Sequence, residues 1–158
     1  MKMTDEIRIE ANRNQVFSAL NDPEILHQAI PGCQELDQTS ETELTATVLA
    51  KVGPVKAKFR GVVTLSDINP PESYTISGEG KGGAAGFAKG TAKVFLTDDG
   101  GATILSYEVN VEVGGKLAQV GGRLIEGTSK KLAGEFFDTF SSLVGSTEAA
   151  AEGPATAP

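Results

Sequence analysis

The sequence predicts an α+β fold in which a curved antiparallel β-sheet of about seven strands wraps around a long C-terminal α-helix, with two short helices after the first strand. Three observations carry this prediction. Apolar and polar residues alternate between Leu44 and Val113, which is the period-two pattern of half-buried strands. From Lys116 onward, apolar residues recur at spacings of three and four, as on one face of a helix. Between the first strand and the alternating region, capping residues and a Pro-Gly pair delimit the two short helices.

The chain is long enough for one domain with a hydrophobic core. It has 158 residues, of which 39% are hydrophobic, and two ordinary domains would need a longer chain. We therefore expect one domain over residues 1–145. Residues 146–158 consist mainly of Ala, Thr, Glu, Gly and Pro without apolar periodicity, which predicts a disordered tail.

Composition argues against several classes of protein. The single cysteine, Cys33, cannot form a disulfide within the chain, and no positively charged start leads into an apolar run, so we expect a cytoplasmic protein. The sequence contains no run of about 18 apolar residues, which is the length that a membrane-spanning helix needs. The net charge of −7 argues against nucleic-acid binding, because neutralising phosphates requires clustered Lys and Arg side chains.

The N-terminal elements are predicted to be short. Ile7 and Ile9 alternate with charged residues, as in a strand with one buried face. Asn12 suits the N-cap of a first helix, and Pro23 suits the first turn of a second. Pro31 and the glycine after it must end that helix, so the strands begin there.

The alternating region divides into strands at its turn signals. Leu44–Val52 is followed by the turn Gly53-Pro54 and then by Val55–Leu65. Residues 98–101 read Asp-Asp-Gly-Gly, which predicts the turn before the last strand. That strand, Leu105–Val113, has the clearest alternation, with its apolar residues facing inward.

One strand carries a basic row on the face opposite its apolar residues. Lys56, Lys58 and Arg60 form this row. A row of this kind is usually a solvated sheet face. The alternative is a surface that meets an acidic protein partner or anionic lipid headgroups, where each basic residue contributes about 1 kcal/mol.

The segment from Gly78 to Gly90 is poor in side chains and lies between two strands. Its first glycines have the spacing of a dinucleotide-binding turn, but that turn must lead into a helix, whereas the residues from Phe87 onward predict a strand. Lys81 is not followed by the Ser or Thr of a phosphate-binding loop. Nucleotide binding is therefore not expected.

Two interpretations of this glycine segment remain open. One is a bulged, bent strand pair at the mouth of the curled sheet, with a mobile loop around Ala84-Ala85-Gly86. The other is a gate or a docking surface for a partner. The candidate docking residues are Gly80, Lys81, Gly82, Gly83, Gly86, Lys56 and Lys58.

One long helix is predicted from Lys116. Its apolar stripe consists of Leu117, Val120, Leu124, Thr128, Leu132, Phe136, Phe140 and Leu143. Small residues along it, among them Gly121, remove bulk, although each interior glycine costs about 1 kcal/mol of helix propensity. Close packing on the sheet would explain them, and so would a helix face kept thin so that a cavity remains.

Four segments of the chain carry a resemblance to a known family: Ile30–Cys33, Lys51–Phe59, Gly78–Gly86 and Val113–Gln119. The order of elements is that of the helix-grip fold of the START-like, or Bet v 1-like (SRPBCC), superfamily. Within that superfamily, the four segments closely resemble the carbon monoxide dehydrogenase G-subunit family, and the resemblance extends from roughly Met3 to Leu143.

The resemblance implies an accessory protein of molybdenum-containing carbon monoxide dehydrogenases and related hydroxylases. Members of that family are associated with the inner face of the cytoplasmic membrane, and their fold links them to handling a quinone electron acceptor. Longer relatives carry a C-terminal extension that ends in an apolar anchor. This sequence ends at Pro158 without one, so we expect peripheral membrane contact rather than insertion.

The inward positions predict an apolar ligand cavity between the sheet and the last helix. Among them only Tyr107 and Thr128 offer hydroxyl groups, and we expect no acid–base couple on that face. Such a cavity suits a mostly hydrocarbon ligand that carries a carbonyl, such as a quinone, and the pattern alone would equally accept a lipid or a sterol-like molecule. The candidate ligand-binding residues are Phe17, Phe59, Val63, Phe87, Leu105, Tyr107, Val109, Leu117, Val120, Gly121, Leu124 and Thr128.

No catalytic residue and no metal site are predicted. His27 is the only histidine, and together with Cys33 it cannot supply the usual set of nitrogen and sulfur ligands. Cys33 has no cationic neighbour in sequence that would activate its thiol, so we expect a small packed side chain. The sequence therefore favours a non-catalytic carrier, and the alternative is a polyketide cyclase-like or hydrolytic enzyme that uses the same cavity.

Overall fold

The computed structural model describes the backbone of residues 1–156 and the side chains of residues 1–144. A short 3₁₀ turn, Gly83–Ala85, joins the fifth and sixth strands. The elements are, in order, β1 (Lys2–Ile9), α1 (Arg13–Leu20), α2 (Pro23–Ala29), β2 (Cys33–Ser40), β3 (Glu43–Val52), β4 (Val55–Asn69), β5 (Ser73–Lys81), β6 (Phe87–Asp99), β7 (Ala102–Gly114), α3 (Lys116–Gln119) and α4 (Gly122–Thr156).

The seven strands form one antiparallel sheet in the order β1-β7-β6-β5-β4-β3-β2. Six strands follow one another through the chain, and β1 pairs with the last of them. A sheet of this size twists, and here its concave face receives α4, as the sequence predicts. The sheet stays open, so β1 and β2 are its edges. The pairing of β2 is irregular, with register shifts at Cys33/Glu35 and Gln38/Ser40.

The two short helices begin at caps that the sequence supplies. The Asn12 side-chain oxygen accepts a hydrogen bond of 2.9 Å from the Gln15 N–H at the start of α1. The Asp22 carboxylate accepts one of 3.0 Å from the Glu24 N–H at the start of α2, where Pro23 occupies the first turn. Both helices pack against α4, so they close one end of the sheet.

The glycine segment is paired without a bulge, which corrects the interpretation of a bulged, bent strand pair. β5 and β6 are in continuous register from Ser73 opposite Phe95 to Lys81 opposite Phe87. The reversal takes place in the 3₁₀ turn, where Ala85 is buried. Gly86 completes it with a φ of 103°, a conformation that side chains disfavour.

The predicted long helix is interrupted near its start. Gly121 has a φ of 95°, and this left-handed residue separates α3 from α4. The interruption shifts the helix phase by one residue, so Ile125 is 7% exposed whereas the preceding Leu124 is 41% exposed. From Thr128 onward the buried stripe follows the predicted positions.

The described backbone carries α4 into residues 146–158, the predicted disordered tail. The side chains of residues 145–158 and the backbone of residues 157–158 lie outside the described part of the chain. Disorder of this segment therefore stays a prediction.

The hydrophobic core consists of two clusters on the concave face. The larger one lies beneath α1 and α2 and includes Ile9, Val16, Leu105 and Phe140, each at most 1% exposed. A fully buried hydroxyl, that of Thr103, donates a hydrogen bond of 2.8 Å to the Ala11 carbonyl. The smaller cluster lies at the other end, around Val52, Leu117 and Ile125.

Candidate functional site

The main cavity lies between the concave face of the sheet and α4. Its volume is about 300 Å³, and it is lined by residues of all seven strands, of both short helices and of the middle of α4. Its lining side chains are apolar except for those of Tyr74 and Tyr107. The remaining lining residues include Met3, Leu20, Leu26, Leu44, Val63, Leu65, Ile76, Ala92, Val94, Leu105, Val109, Ala133, Phe136 and Phe137.

A second cavity of about 210 Å³ lies farther along the same concave face. It is also mainly apolar, with hydroxyl groups from Thr128 and Ser129 on α4. Gly82 in the turn after β5 is close enough to the Phe59 ring that a Cβ there would lie 2.6 Å from Phe59 Cε1, so the turn covers this ring. The other lining residues include Val48, Ala50, Val52, Ala88, Val111, Val113, Leu117, Ile125 and Leu132.

Other recesses on the protein are of a different kind. One of them, of about 460 Å³, lies on the outer face of the sheet. Charged side chains line it, among them Glu35, Arg60 and Lys81. Because a mostly hydrocarbon molecule needs apolar walls that exclude water, this outer recess does not suit it.

The two tyrosines stand in one row across the sheet. Tyr74 on β5 lies opposite Val94 on β6, which lies opposite Tyr107 on β7, so all three side chains share the concave face. The Tyr74 ring packs edge-on against Phe17 at 5.5 Å, and the Tyr107 ring stacks on Phe137 at 5.5 Å. No hydrogen bond joins either hydroxyl to another residue among the described side chains of residues 1–144.

Burial and a nearby charge perturb these two phenols. Burial raises the pKa of Tyr74, which is 3% exposed, far above its usual value. Burial also raises the pKa of Tyr107, and the negative charge of Asp5 raises it further. Both side chains are therefore neutral hydrogen-bond donors at physiological pH.

Seven of the twelve predicted ligand-binding residues line a cavity. Val63, Leu105, Tyr107 and Val109 line the main cavity. The second cavity is lined by Phe59, Leu117 and Thr128. The prediction treats these residues as one site, whereas the structure divides them between two neighbouring spaces.

The other five predicted ligand-binding residues line neither cavity. Phe17 packs edge-on against the ring of Tyr74, and Val120 packs against the smaller core cluster. Phe87 is on the outer face, opposite Lys81, with its ring over Gly114. Gly121 forms the interruption before α4, and Leu124 packs on Gly53 at the surface because that interruption rotates it outward.

Several lining residues were not among the predicted ones. Tyr74 is the most consequential, because it brings the second hydroxyl into the main cavity. Its sequence signal is its parity with Ile76, which lines the same cavity. Phe136 and Phe137 form the helix wall, and Phe136 is part of the predicted stripe. Met3 could have been found by extending the alternation of the first strand backward from Ile7 and Ile9.

One carboxylate stands closer to the cavity than the sequence analysis predicts. Asp5 lies directly opposite Tyr107 in the pairing of β1 with β7, so its side chain starts from the concave face at the exposed edge of the sheet. This corrects the expectation that no acid–base couple shares that face. The Asp5 carboxylate accepts a hydrogen bond of 2.8 Å from the Glu6 N–H.

The described residues offer little else for catalysis or metal binding. Residues 1–144 contain no group of three or more His, Cys, Asp or Glu side chains that could hold a metal ion. His27 is exposed on α2. Burial raises the pKa of the Cys33 thiol, which donates a hydrogen bond of 3.4 Å to the Glu35 carbonyl, so the nucleophilic thiolate is disfavoured.

The predicted docking residues are distributed over both faces of the sheet. Gly80 faces the concave side, and Gly82 lies against Phe59. Lys81 faces outward and pairs with Glu79 at 3.8 Å. Gly83 and Gly86 belong to the turn itself, and both have positive φ angles. Lys56 and Lys58 are exposed on the outer face of β4, as the alternation predicts.

We expect the tyrosines to ionise at unusually high pH in the folded protein. A free tyrosine has a pKa of about 10. Because both folded-state pKa values are raised, the stability that these neutral phenols contribute is complete below about pH 10 and is lost as the pH rises through the folded pKa values. Tyrosinate absorbance in native and denaturing solution measures this directly, since the chain has only two tyrosines. Coincident titration curves would contradict it.

The fold has counterparts among solved structures. A conserved protein from Geobacillus kaustophilus is 30% identical, with a TM-score of 0.88 over 93% of this chain and 97% of that one. A START superfamily protein from Mycobacterium smegmatis is 14% identical, with a TM-score of 0.69 over 92% of this chain and 98% of that one. A truncated norcoclaurine synthase from Thalictrum flavum is 15% identical, with a TM-score of 0.62 over 91% and 92% of the two chains. These similarities confirm the helix-grip, START-like fold.

Among the described residues, no helix has the length and apolar character needed to cross a bilayer.

Two further comparisons bear on identity. A search among curated proteins gives no significant match. The model of the family named CoxG, the G subunit of carbon monoxide dehydrogenase, matches residues 6–145, which is most of the sequence. The chain therefore belongs to the carbon monoxide dehydrogenase G-subunit (CoxG) family.

Proposed function

We propose that this protein is a non-catalytic carrier that binds a quinone in the main cavity and assists a molybdenum-containing carbon monoxide dehydrogenase or a related hydroxylase. The observation that carries the proposal is an apolar cavity of about 300 Å³ with two hydroxyl groups and no other polar side chain in its lining. The family and its START-like fold support a ligand-binding accessory role.

The chemistry of the lining matches that of a quinone. A quinone ring is flat and largely apolar, so it suits walls such as Phe136 and Phe137. Its carbonyl oxygens accept hydrogen bonds. Tyr74 and Tyr107 stay protonated and have no other described partner, so each can donate one. A quinone carbonyl would give these hydroxyls an acceptor inside the cavity, and a hydrogen bond of this kind contributes about 0.5–1.5 kcal/mol.

The partner is proposed from the family rather than from a surface of this protein. The family name links the chain to carbon monoxide dehydrogenase. Lys56, Lys58 and Arg60 are exposed cations on one strand, which suits a transient contact with an acidic partner or with anionic headgroups at the inner face of the cytoplasmic membrane. The net charge of −7 opposes strong adsorption to an anionic membrane, so we expect that contact to be peripheral and weak.

The first test is to identify the bound molecule. Protein purified from a bacterial host is extracted with organic solvent, and the extract is analysed for quinones by mass spectrometry. Titration of the stripped protein with a quinone should quench the tyrosine fluorescence. This signal reports on the cavity because the chain has no Trp and both of its tyrosines line the main cavity. An extract without any apolar ligand, together with unchanged fluorescence, would contradict the proposal.

An enzyme is the second candidate, and the position of Asp5 is the observation that favours it. Its charge lies near Tyr107 on the concave face, and some proteins with this fold, such as the norcoclaurine synthase, are enzymes. Burial and, to a smaller extent, the charge of Asp5 raise the pKa of Tyr107 and hold it protonated, so Tyr107 could act only as a general acid at neutral pH. With a quinone from the extract, Tyr107→Phe should weaken binding if the protein is a carrier. Loss of turnover of some substrate at unchanged affinity would instead favour the enzyme.

A further inference from the structure

We propose that the ligand is elongated and occupies both cavities, with its polar head at Tyr74 and Tyr107 and a long apolar tail in the second cavity. This inference deepens the proposed function and rests on it. It names the ligand class as a head group with hydrogen-bond acceptors on a tail of several isoprene units or a long alkyl chain.

The two cavities meet at the same point of α4. Leu132 lines the second cavity, and the next residue, Ala133, lines the main one. No intervening turn of the helix therefore separates the two spaces. The small side chain of Ala133 also leaves room at this boundary.

The sheet shows the same adjacency. Neighbouring inward positions on β7, Val109 and Val111, line the main and the second cavity respectively. The corresponding pair on β3 is Ala46 and Val48. On these strands nothing stands between the residues of one cavity and those of the other.

On the three central strands, β4, β5 and β6, glycines lie at the boundary between the two cavities. We call Gly61, Gly78, Gly80 and Gly90 the glycine strip. They face inward in two cross-strand pairs, Gly61 opposite Gly80 and Gly78 opposite Gly90. On β4 and β6 the strip lies between a residue of the main cavity and one of the second, since Val63 and Phe59 flank Gly61. On these three strands, the part of the sheet between the two cavities therefore carries no side chains.

Backbone packing explains only half of these glycines. A Cβ at Gly61 would lie 2.7 Å from the Glu79 carbonyl oxygen, and one at Gly90 would lie 3.0 Å from that of Asn110. In contrast, a Cβ at Gly78 would meet nothing closer than 3.5 Å, and one at Gly80 nothing closer than 3.7 Å. Neither has a positive φ. Because glycine weakens a strand, its use at these two positions indicates that the space above them is needed.

The distance along the strip sets the length of the ligand. Gly80, which lies beside Phe59, is six positions after Tyr74 on β5, and a strand rises about 3.3 Å per residue. The path from the tyrosine row to the second cavity is therefore about 20 Å. A quinone ring alone would fill only its first part.

The test compares ligands that share one quinone head and differ in tail length, bound to the full chain. For the natural sequence, affinity should rise with tail length. In Gly78→Leu a side chain occupies the strip, so we expect the long-tailed quinone to bind at least about tenfold more weakly, while the tailless quinone binds as before. The matched control is Gly134→Leu, because Gly134 is exposed on α4 and has nothing within 4 Å of an added Cβ.

A second variant tests the same inference in case Gly78→Leu does not fold. Ala88→Phe fills the second cavity from β6 and should cause the same selective loss for long-tailed quinones. Circular dichroism and thermal melting establish that each variant is folded. Equal affinity of the natural sequence for tailless and long-tailed quinones would overturn the elongated ligand and leave the carrier proposal standing. Failure of every quinone to bind the natural sequence would overturn the proposed function and this inference together.

Discussion

Replacing Ala92 by Phe should abolish ligand binding while leaving the protein folded. Ala92 lies on β6 in the centre of the concave face, between Ile76 and Val109 on the neighbouring strands, and all three line the main cavity. A phenyl ring at this position occupies the space that the ligand needs. Because the ring fills a void rather than displacing packed atoms, we expect the free energy of unfolding to stay unchanged or to rise by about 0.5–2 kcal/mol.

The measurement is quinone content after purification, together with quenching of tyrosine fluorescence in a titration. The matched control is Thr91→Phe, one residue away, because Thr91 is exposed on the outer face of the same strand. This control should retain the ligand. Equal ligand content in both variants would show that the molecule binds elsewhere, and a large loss of stability in Ala92→Phe would show that the cavity closes in solution.

Replacing Phe140 by Ala should have the largest effect on stability. Phe140 is fully buried, stacks on Phe136 at 5.7 Å and contacts Phe137 edge-on at 6.5 Å. Its ring anchors α4 to the larger core cluster. Truncating a buried Phe costs about 3–5 kcal/mol, which is a large part of the stability of an ordinary domain.

Chemical denaturation measures this change, and Thr139→Ala is its control, because Thr139 is the exposed neighbour on the same helix. We expect the control to alter the free energy of unfolding by less than about 0.5 kcal/mol. The loss in Phe140→Ala should also weaken ligand binding, since Phe136 lines the main cavity and depends on the Phe140 ring for its position. A loss below about 1 kcal/mol would contradict the proposed role of Phe140 as the anchor of α4.

The sheet and the faces of its strands could be predicted from the sequence. Alternation places Leu105, Tyr107 and Val109 inward, and the structure finds them there because antiparallel pairing keeps one face of each strand on the core. The same parity places Lys56 and Lys58 on the outer face. A period-two pattern assigns each residue of a strand to the inner or the outer face of the sheet.

Helix phase and turn geometry could not be predicted in the same way. Glycine adopts left-handed and right-handed conformations with similar ease, so nothing in the sequence marks Gly121 as the residue that interrupts the last helix. The exposure of Leu124 follows from that one torsion. Likewise, the length of the turn after β5 sets the register of β6 and thereby turns Phe87 outward.

The apolar character of the candidate site could be predicted from the sequence, whereas its division into two cavities could not. The inward residues indicate apolar walls, and seven of the predicted positions line one of the two cavities. The division into two spaces depends on which glycines have free space above them, as Gly78 has, and which are held by backbone contacts, as Gly61 is. Likewise, whether a side chain among residues 1–144 hydrogen-bonds the Tyr74 hydroxyl depends on neighbours that are distant in sequence, and none does.

The irregular strand β2 has a consequence for how these molecules behave at high concentration. An exposed sheet edge is a template on which another chain can add a strand, and such growth leads to fibres. β2 is one of these edges, and it carries Glu35 and Asp37 as well as the two register shifts in its pairing with β3. Charges and misaligned amide groups make this border a poor template. These features of β2 therefore oppose the edge-to-edge association of several copies of the protein into fibres.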